Sequence, residues 1–157
     1  MKSATIGQAT VHIDATPERV YDLVSDITRM GDWSPETRRC QWIGDAAGAK
    51  AGARFKAHNR RGIMRWSNKP TVLSADRGKD FSFERRAAGA GTVQWHYRMT
   101  PAGNGTELTE SYEVIKPGLS MMNWMMGAMI RVKDRDADLA NSLRQTLAGI
   151  KTAAEAN

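Results

Sequence analysis

The sequence points to an α+β domain in which seven antiparallel strands wrap around one long C-terminal helix, with two short helices after the first strand. Three observations carry that expectation. Residues 11–35 pass from an alternating strand into a capped amphipathic helix and then a tighter turn ending at Trp33-Ser34-Pro35. Residues 37–115 are short alternating segments divided by turn residues, the pattern of an antiparallel meander. Towards the C-terminus the apolar period lengthens from two to three and four.

In the first strand Ala9, Val11 and Ile13 share one face, and Thr10, His12 and Asp14 the other. Thr16 suits an N-cap, Pro17 the first helical position, and Glu18 the positive end of a helix. Val20, Leu23, Val24 and Ile27 recur at helical spacing, so helices are expected near 17–26 and 28–32. Thr37 to Ile43 reads as the next strand, with Cys40 and Trp42 on its apolar face. A small-residue loop from Asp45 to Gly52 follows. Ala53 to Asn59 and Ile63 to Leu73 pair across Arg60-Arg61-Gly62. Asp80 to Arg86 and Thr92 to Met99 pair across a Gly/Ala turn, and Glu107 to Ile115 closes the meander. Met125, Met129, Val132, Leu139, Leu143, Leu147 and Ile150 form one stripe on a helix expected over roughly 128–154. At ~1.5 Å per residue it spans about 40 Å, enough to cross a curved sheet.

With 157 residues and 41% hydrophobic composition, the chain reads as a single domain, 1–157, with a real core. One cysteine, Cys40, excludes an internal disulfide framework. No apolar run nears the ~18 residues of a membrane span, and the N-terminus has no secretion-signal core, so a cytoplasmic protein is expected. The net charge is +6, but residues 36–99 hold 14 Lys and Arg against 5 Asp and Glu. Arg39, Arg54, Lys56, Arg65, Lys69, Arg86 and Arg98 take the outward parity, giving a basic outer face. Its aromatics take the opposite parity, so stacking platforms for nucleic acid are missing. A solvated face or contact with an anionic lipid surface remain. Nothing sets the oligomeric state.

Parity also selects the inward residues: Phe55, Ala57 and Asn59; Met64, Trp66 and Asn68; Phe81 and Phe83; Val93, Trp95, Tyr97 and Met99; Leu108, Glu110, Tyr112 and Val114. A one-residue slip would invert any of these sets. An aromatic wall with a few polar groups suits a small-molecule pocket; the same residues also suit a filled core. Two acids stand out. Asp136 falls within the helix stripe and Glu110 on the apolar parity of its strand. A buried carboxylate needs a partner or a proton, so both are candidates for a ligand contact, or for a structural pair with an arginine or an aromatic donor. His12, His58 and His96 take outward parity without metal-ligand spacing, so neither a metal nor a cofactor is expected. Cys40 reads as a core residue. The segment 119–129 holds five of the nine methionines. It reads as a portal or lid hinged at Gly127, or as plain packing, a membrane patch or a dimer contact.

VHIDATPERVYDLVSDITRMGDWSP, together with Cys40-Gln41-Trp42, Gly52-Ala53-Arg54-Phe55 and Gly105-Thr106-Glu107-Leu108-Thr109-Glu110-Ser111, resembles the START-like helix-grip (SRPBCC) superfamily. Within it, the resemblance is to the actinobacterial polyketide cyclase/dehydrase-type branch. It spans nearly the whole chain and implies a deep cavity between sheet and long helix. The superfamily includes lipid-transfer domains, hydrophobic-ligand-binding plant allergens, aromatase/cyclases and ring-hydroxylase domains, so it implies no catalytic motif. Three functions follow as expectations: binding or transport of a hydrophobic small molecule; a cyclase/dehydratase in which Glu110, Asp136 or Tyr97 moves protons; or a protein-interaction module. The first is favoured, because no tight acid/base pair is visible. The ligand-binding candidates are Phe55, Asn59, Trp66, Phe83, Trp95, Tyr97, Glu110, Tyr112, Met125, Met129, Val132 and Asp136, with no residue assigned as catalytic.

Overall fold

The computed structural model describes residues 6–89, 91–119 and 135–156. In chain order these form β1 (Ile6–Ile13), α1 (Pro17–Val24), a one-turn 3-10 helix (Ile27–Arg29), α2 (Met30–Trp33), β2 (Thr37–Ile43), β3 (Arg54–Arg61), β4 (Met64–Asn68), β5 (Thr71–Asp76), β6 (Asp80–Ala87), β7 (Gly91–Ala102), β8 (Gly105–Lys116) and α3 (Arg135–Glu155). The Thr16 hydroxyl caps α1 by accepting from the Arg19 N–H at 3.2 Å. The Asp26 carboxylate does the same for the 3-10 turn, accepting from Thr28 N–H at 3.2 Å. That cap ends α1 two residues earlier than the apolar spacing suggested.

The curled antiparallel sheet follows the seven-strand path β1-β8-β7-β6-β5-β3-β2, with β4 paired to β3 off that path. The segment 63–73, expected as one strand, is therefore two. Pro70 has no N–H to donate to a ladder, and the chain bends there. β4 stays on β3 while β5 crosses to β6. The backbone around the bend is still satisfied: Phe55 N–H donates to Pro70 O at 3.2 Å, and Val72 N–H to Ala53 O at 2.8 Å. The β3–β4 turn also sits later than expected. Arg60 and Arg61 pair with Arg65 and Met64, and Gly62, at φ 59°, makes the turn.

α3 lies in the curve of the sheet and is held at both ends. Its last carbonyls accept from Arg19, whose Nε reaches Ala154 O and whose Nη2 reaches Ala156 O, each at 2.7 Å. A cation there also suits the negative end of the helix. Near the opposite end, Asp138 takes two hydrogen bonds from Arg61, which also reaches Glu36 at 2.9 Å. Between these ties Leu143, Leu147, Ile150 and Ala154 are buried. Gly149 lets α2 come close: a Cβ there would lie 2.6 Å from the Trp33 Cβ. The part of the long helix expected before residue 135 lies outside the described residues. No helix among the described residues is long and apolar enough to cross a membrane.

Packing differs between the two ends of the grip. At the end closed by α1 and α2, Ile13, Val20, Ile27, Phe55, Phe81, Leu108 and Ile150 are fully buried. At the other end lie the β3–β4 and β6–β7 turns and the end of β8. There the inward side chains Asn59, Met64, Trp66, Arg85, Val93, Trp95 and Val114 are only half-buried.

Candidate functional site

Strand register stacks the inner face of β6, β7 and β8 into three layers. Phe81, Tyr97 and Glu110 form the deepest. Phe83, Trp95 and Tyr112 form an aromatic middle layer, with the Trp95 and Tyr112 rings 5.3 Å apart. Arg85, Val93 and Val114 form the rim. Alternation along each strand is enough to build this wall, because every second side chain faces the same way. Gly7, paired with Tyr112, leaves room for it: a Cβ there would fall 2.4 Å from the Tyr112 ring. Phe55 packs edge-on against Phe83 at 5.4 Å and continues the aromatic wall onto β3. Above it on the same strand, Asn59 accepts from the Thr37 hydroxyl at 3.0 Å and pairs across to Trp66.

The chemistry concentrates at Glu110. It is 3% exposed, and its Oε1 accepts from the Tyr97 hydroxyl at 2.8 Å. Its Oε2 is buried with no hydrogen-bond partner among the described residues. Burial raises the Glu110 pKa to about 8, against the lowering effect of the Tyr97 hydrogen bond. The carboxyl is therefore neutral at pH 7. Since Oε1 already accepts from Tyr97, the proton belongs on Oε2. The buried Tyr97 phenol is also raised, by its own burial first and by Glu110 second. Together they form a hydroxyl relay with one unused donor at its end.

Of the residues expected at a ligand, Phe55, Asn59, Trp66, Phe83, Trp95, Tyr97, Glu110 and Tyr112 share the concave face. Met125, Met129, Val132, the Asp136 side chain and the Met-rich stretch from residue 120 lie outside the described residues. Two further arginines among the described residues take the inward parity. Arg85 continues the Phe81, Phe83 parity and Arg61 the Phe55, Ala57, Asn59 parity, so alternation carried the signal. Arg61 belongs to β3, paired with Met64, rather than to the turn expected over 60–62.

Other groups sit away from this wall. Cys40 is buried, its thiol pushed up to about 12 by burial, and it contacts Met30 Sδ at 3.9 Å. It is an unreactive core group. His58 lies on the outer face with a buried, unpartnered Nε2. Among the described residues no group of three His, Cys, Asp or Glu could hold a metal. On the outer face Arg39, Arg54, Arg65, Lys69, Arg86 and Arg98 are exposed, whereas Glu84 is buried between Arg86 and Gln94. A polar cleft of about 280 Å³ lies beside Arg60, Arg61, Asn141 and Gln145. A groove of about 300 Å³ runs along α1 beside Asp22 and Arg77. Neither reaches the aromatic layer.

A family model described as polyketide cyclase / dehydrase and lipid transport matches residues 5–155. The polyketide-cyclase-like protein Cgl2372 from Corynebacterium glutamicum is 30% identical. The match covers 99% of this chain and 88% of that one, with a TM-score of 0.52. The Zhui aromatase/cyclase from Streptomyces sp. R1128 is 13% identical over 98% of this chain and 94% of that one, with a TM-score of 0.71. Ginseng major latex-like protein 151 from Panax ginseng is 11% identical over 96% and 97%, with a TM-score of 0.70. The last two share the fold alone. No curated protein matches the sequence.

Proposed function

Because the chain belongs to the polyketide cyclase / dehydrase and lipid transport family, we propose that it binds or carries a hydrophobic small molecule, such as a lipid, sterol, polyketide or aromatic, against the half-buried end of its concave wall. One observation carries this reading: the unpartnered Oε2 of Glu110, buried beneath a layer of aromatic side chains. An unused buried donor costs about 1–3 kcal/mol. A ligand carbonyl or hydroxyl oxygen accepting from it would remove that cost, while the aromatic layer takes the apolar body. Native mass spectrometry of the protein purified from its own host tests the reading. It expects a co-purifying apolar molecule that contains oxygen, and weaker binding of an apolar fluorescent probe in Trp66→Ala. A protein with no bound molecule and no affinity for such probes would overturn it.

A specific observation favours one second reading. A carboxylic acid that holds its proton near neutral pH is suited to general-acid chemistry, as a cyclase/dehydratase acting on a polyketide-like substrate requires. Glu110→Gln would then abolish turnover while leaving substrate bound. The outer face extends the carrier reading. Ile63 is 92% exposed at the tip of β3–β4, flanked by Arg60 and Arg65, and Leu119 is 66% exposed at the same end. An apolar tip among arginines suits an anionic lipid surface, where cargo would enter. Co-sedimentation with phosphatidylglycerol vesicles, but not with phosphatidylcholine vesicles, is the expected result.

A further inference from the structure

The two inward arginines are not equivalent. Arg61 is tied to Asp138 and Glu36. Arg85 sits at the rim of the layered wall, next to Val93 across the ladder, and makes no hydrogen bond or ion pair to any described residue. It is not a solvated surface group, since burial alone lowers its pKa. Among the described residues of β6, β7 and β8 the acids are accounted for: Glu110 is bonded to Tyr97, while Glu84 and Glu113 take the opposite parity. A guanidinium without a partner in a half-buried site presents a planar fork of N–H donors. That fork matches the two oxygens of a carboxylate better than any other side chain does.

Register sets the spacing along the strands between the backbone of Arg85 and the layer of the deep acid. Four residues separate Arg85 from Phe81, which lies in the Tyr97–Glu110 layer. At ~3.3 Å per residue, the rim and the deep layer are about 13 Å apart. On the strands between them lies the layer of Phe83, Trp95 and Tyr112.

We infer that Arg85 receives the anionic end of the ligand, so that the ligand class is an amphipathic carboxylate carrying a hydroxyl or keto oxygen roughly 13 Å away across an apolar body. The oxygen accepts from Glu110 at depth, the body lies on the aromatic layer, and the carboxylate stays at the wetter rim. This rests on the ligand-binding reading above. The polarity of the wall fixes the orientation: a carboxylate at depth would meet the Glu110–Tyr97 pair without a cation.

Three probes of equal chain length separate the parts: ω-hydroxylauric acid, lauric acid and lauryl alcohol, titrated by tryptophan fluorescence. The unsubstituted protein should bind lauric acid at least tenfold more tightly than lauryl alcohol. It should bind ω-hydroxylauric acid at least as tightly as lauric acid. Arg85→Gln should weaken both acids about tenfold and leave lauryl alcohol within twofold. Arg85→Lys should recover part of the loss. Equal affinity for acid and alcohol in the unsubstituted protein, or an equal loss for all three probes in Arg85→Gln, would overturn the assignment of Arg85 while leaving the ligand-binding reading intact. If none of the three binds the unsubstituted protein, both readings fall. Because the acid-to-alcohol ratio is measured on the unsubstituted protein, the test survives a variant that does not fold.

Discussion

The two ends of the grip share one sheet and one helix, yet their inward side chains are packed differently. At the end capped by α1 and α2, inward side chains meet one another, and Phe55, Phe81 and Leu108 are fully buried. At the other end the same strands carry Asn59, Trp66, Arg85 and Trp95, only half-buried. Glu110 lies at the boundary, buried as deeply as the core but with one oxygen unpartnered. The difference separates the part of the inner face that forms the core from the part to which the proposed ligand site is assigned. Alternation supplies an inward face along the whole length of each strand. At one end α1 and α2 cover that face; at the other, among the described residues, it stays half-buried.

Mutations that pair the two ends can break this comparison. Leu147→Ala, in the filled end, should cost about 2–5 kcal/mol in urea denaturation, as cavities in cores do. Trp66→Ala should cost about 1 kcal/mol or less, despite removing a larger side chain. Equal losses would mean that the half-buried end is core as well.

The boundary has its own pH signature. An unfolded glutamate ionises near 4.5, whereas buried Glu110 keeps its proton to about 8. Between those values the folded state binds more protons, so stability should fall as pH rises, by up to about 1.4 kcal/mol per pH unit. It should level off above the upper value. Glu110→Gln should remove that slope, and denaturation of both proteins across this range checks it.

Smaller effects sharpen the picture. Gly149→Ala would place a Cβ 2.6 Å from Trp33, and the overpacking, about 1–3 kcal/mol, outweighs alanine's better helix propensity of ~1 kcal/mol. A net loss is expected in thermal denaturation, with no change in probe binding. The exposed Asp22–Arg77 pair, at 2.8 Å on the outer groove, should contribute nothing measurable. Arg77→Ala is expected to leave the denaturation midpoint where it was.

Much of this arrangement was legible in the chain itself. Period-two alternation placed Glu110 among Leu108 and Tyr112 on the inner face, because a strand's side-chain direction depends on counting alone. The capped start of α1 was equally local. The roles of Pro70 and Arg61 depend on the partner rather than the segment. Pro70 divides one apparent strand because its neighbours diverge towards β3 and β6, which no local pattern records. Arg61 reads as a turn residue until Asp138, 77 positions away, pairs with it. Arg85 is charged, and charge argued for solvent more loudly than its parity with Phe81 and Phe83 argued against it.

The central claim is that the deep end of the ligand wall carries a neutral carboxylic acid whose free proton is offered to a ligand. Carbon-13 NMR of side-chain-labelled glutamate, with the Glu110 signal assigned by its loss in Glu110→Gln, measures that proton directly. The account predicts a titration midpoint near 8 in the unliganded protein. A midpoint near the ordinary value of 4.5 would mean that Glu110 is ionised at pH 7, and would contradict it.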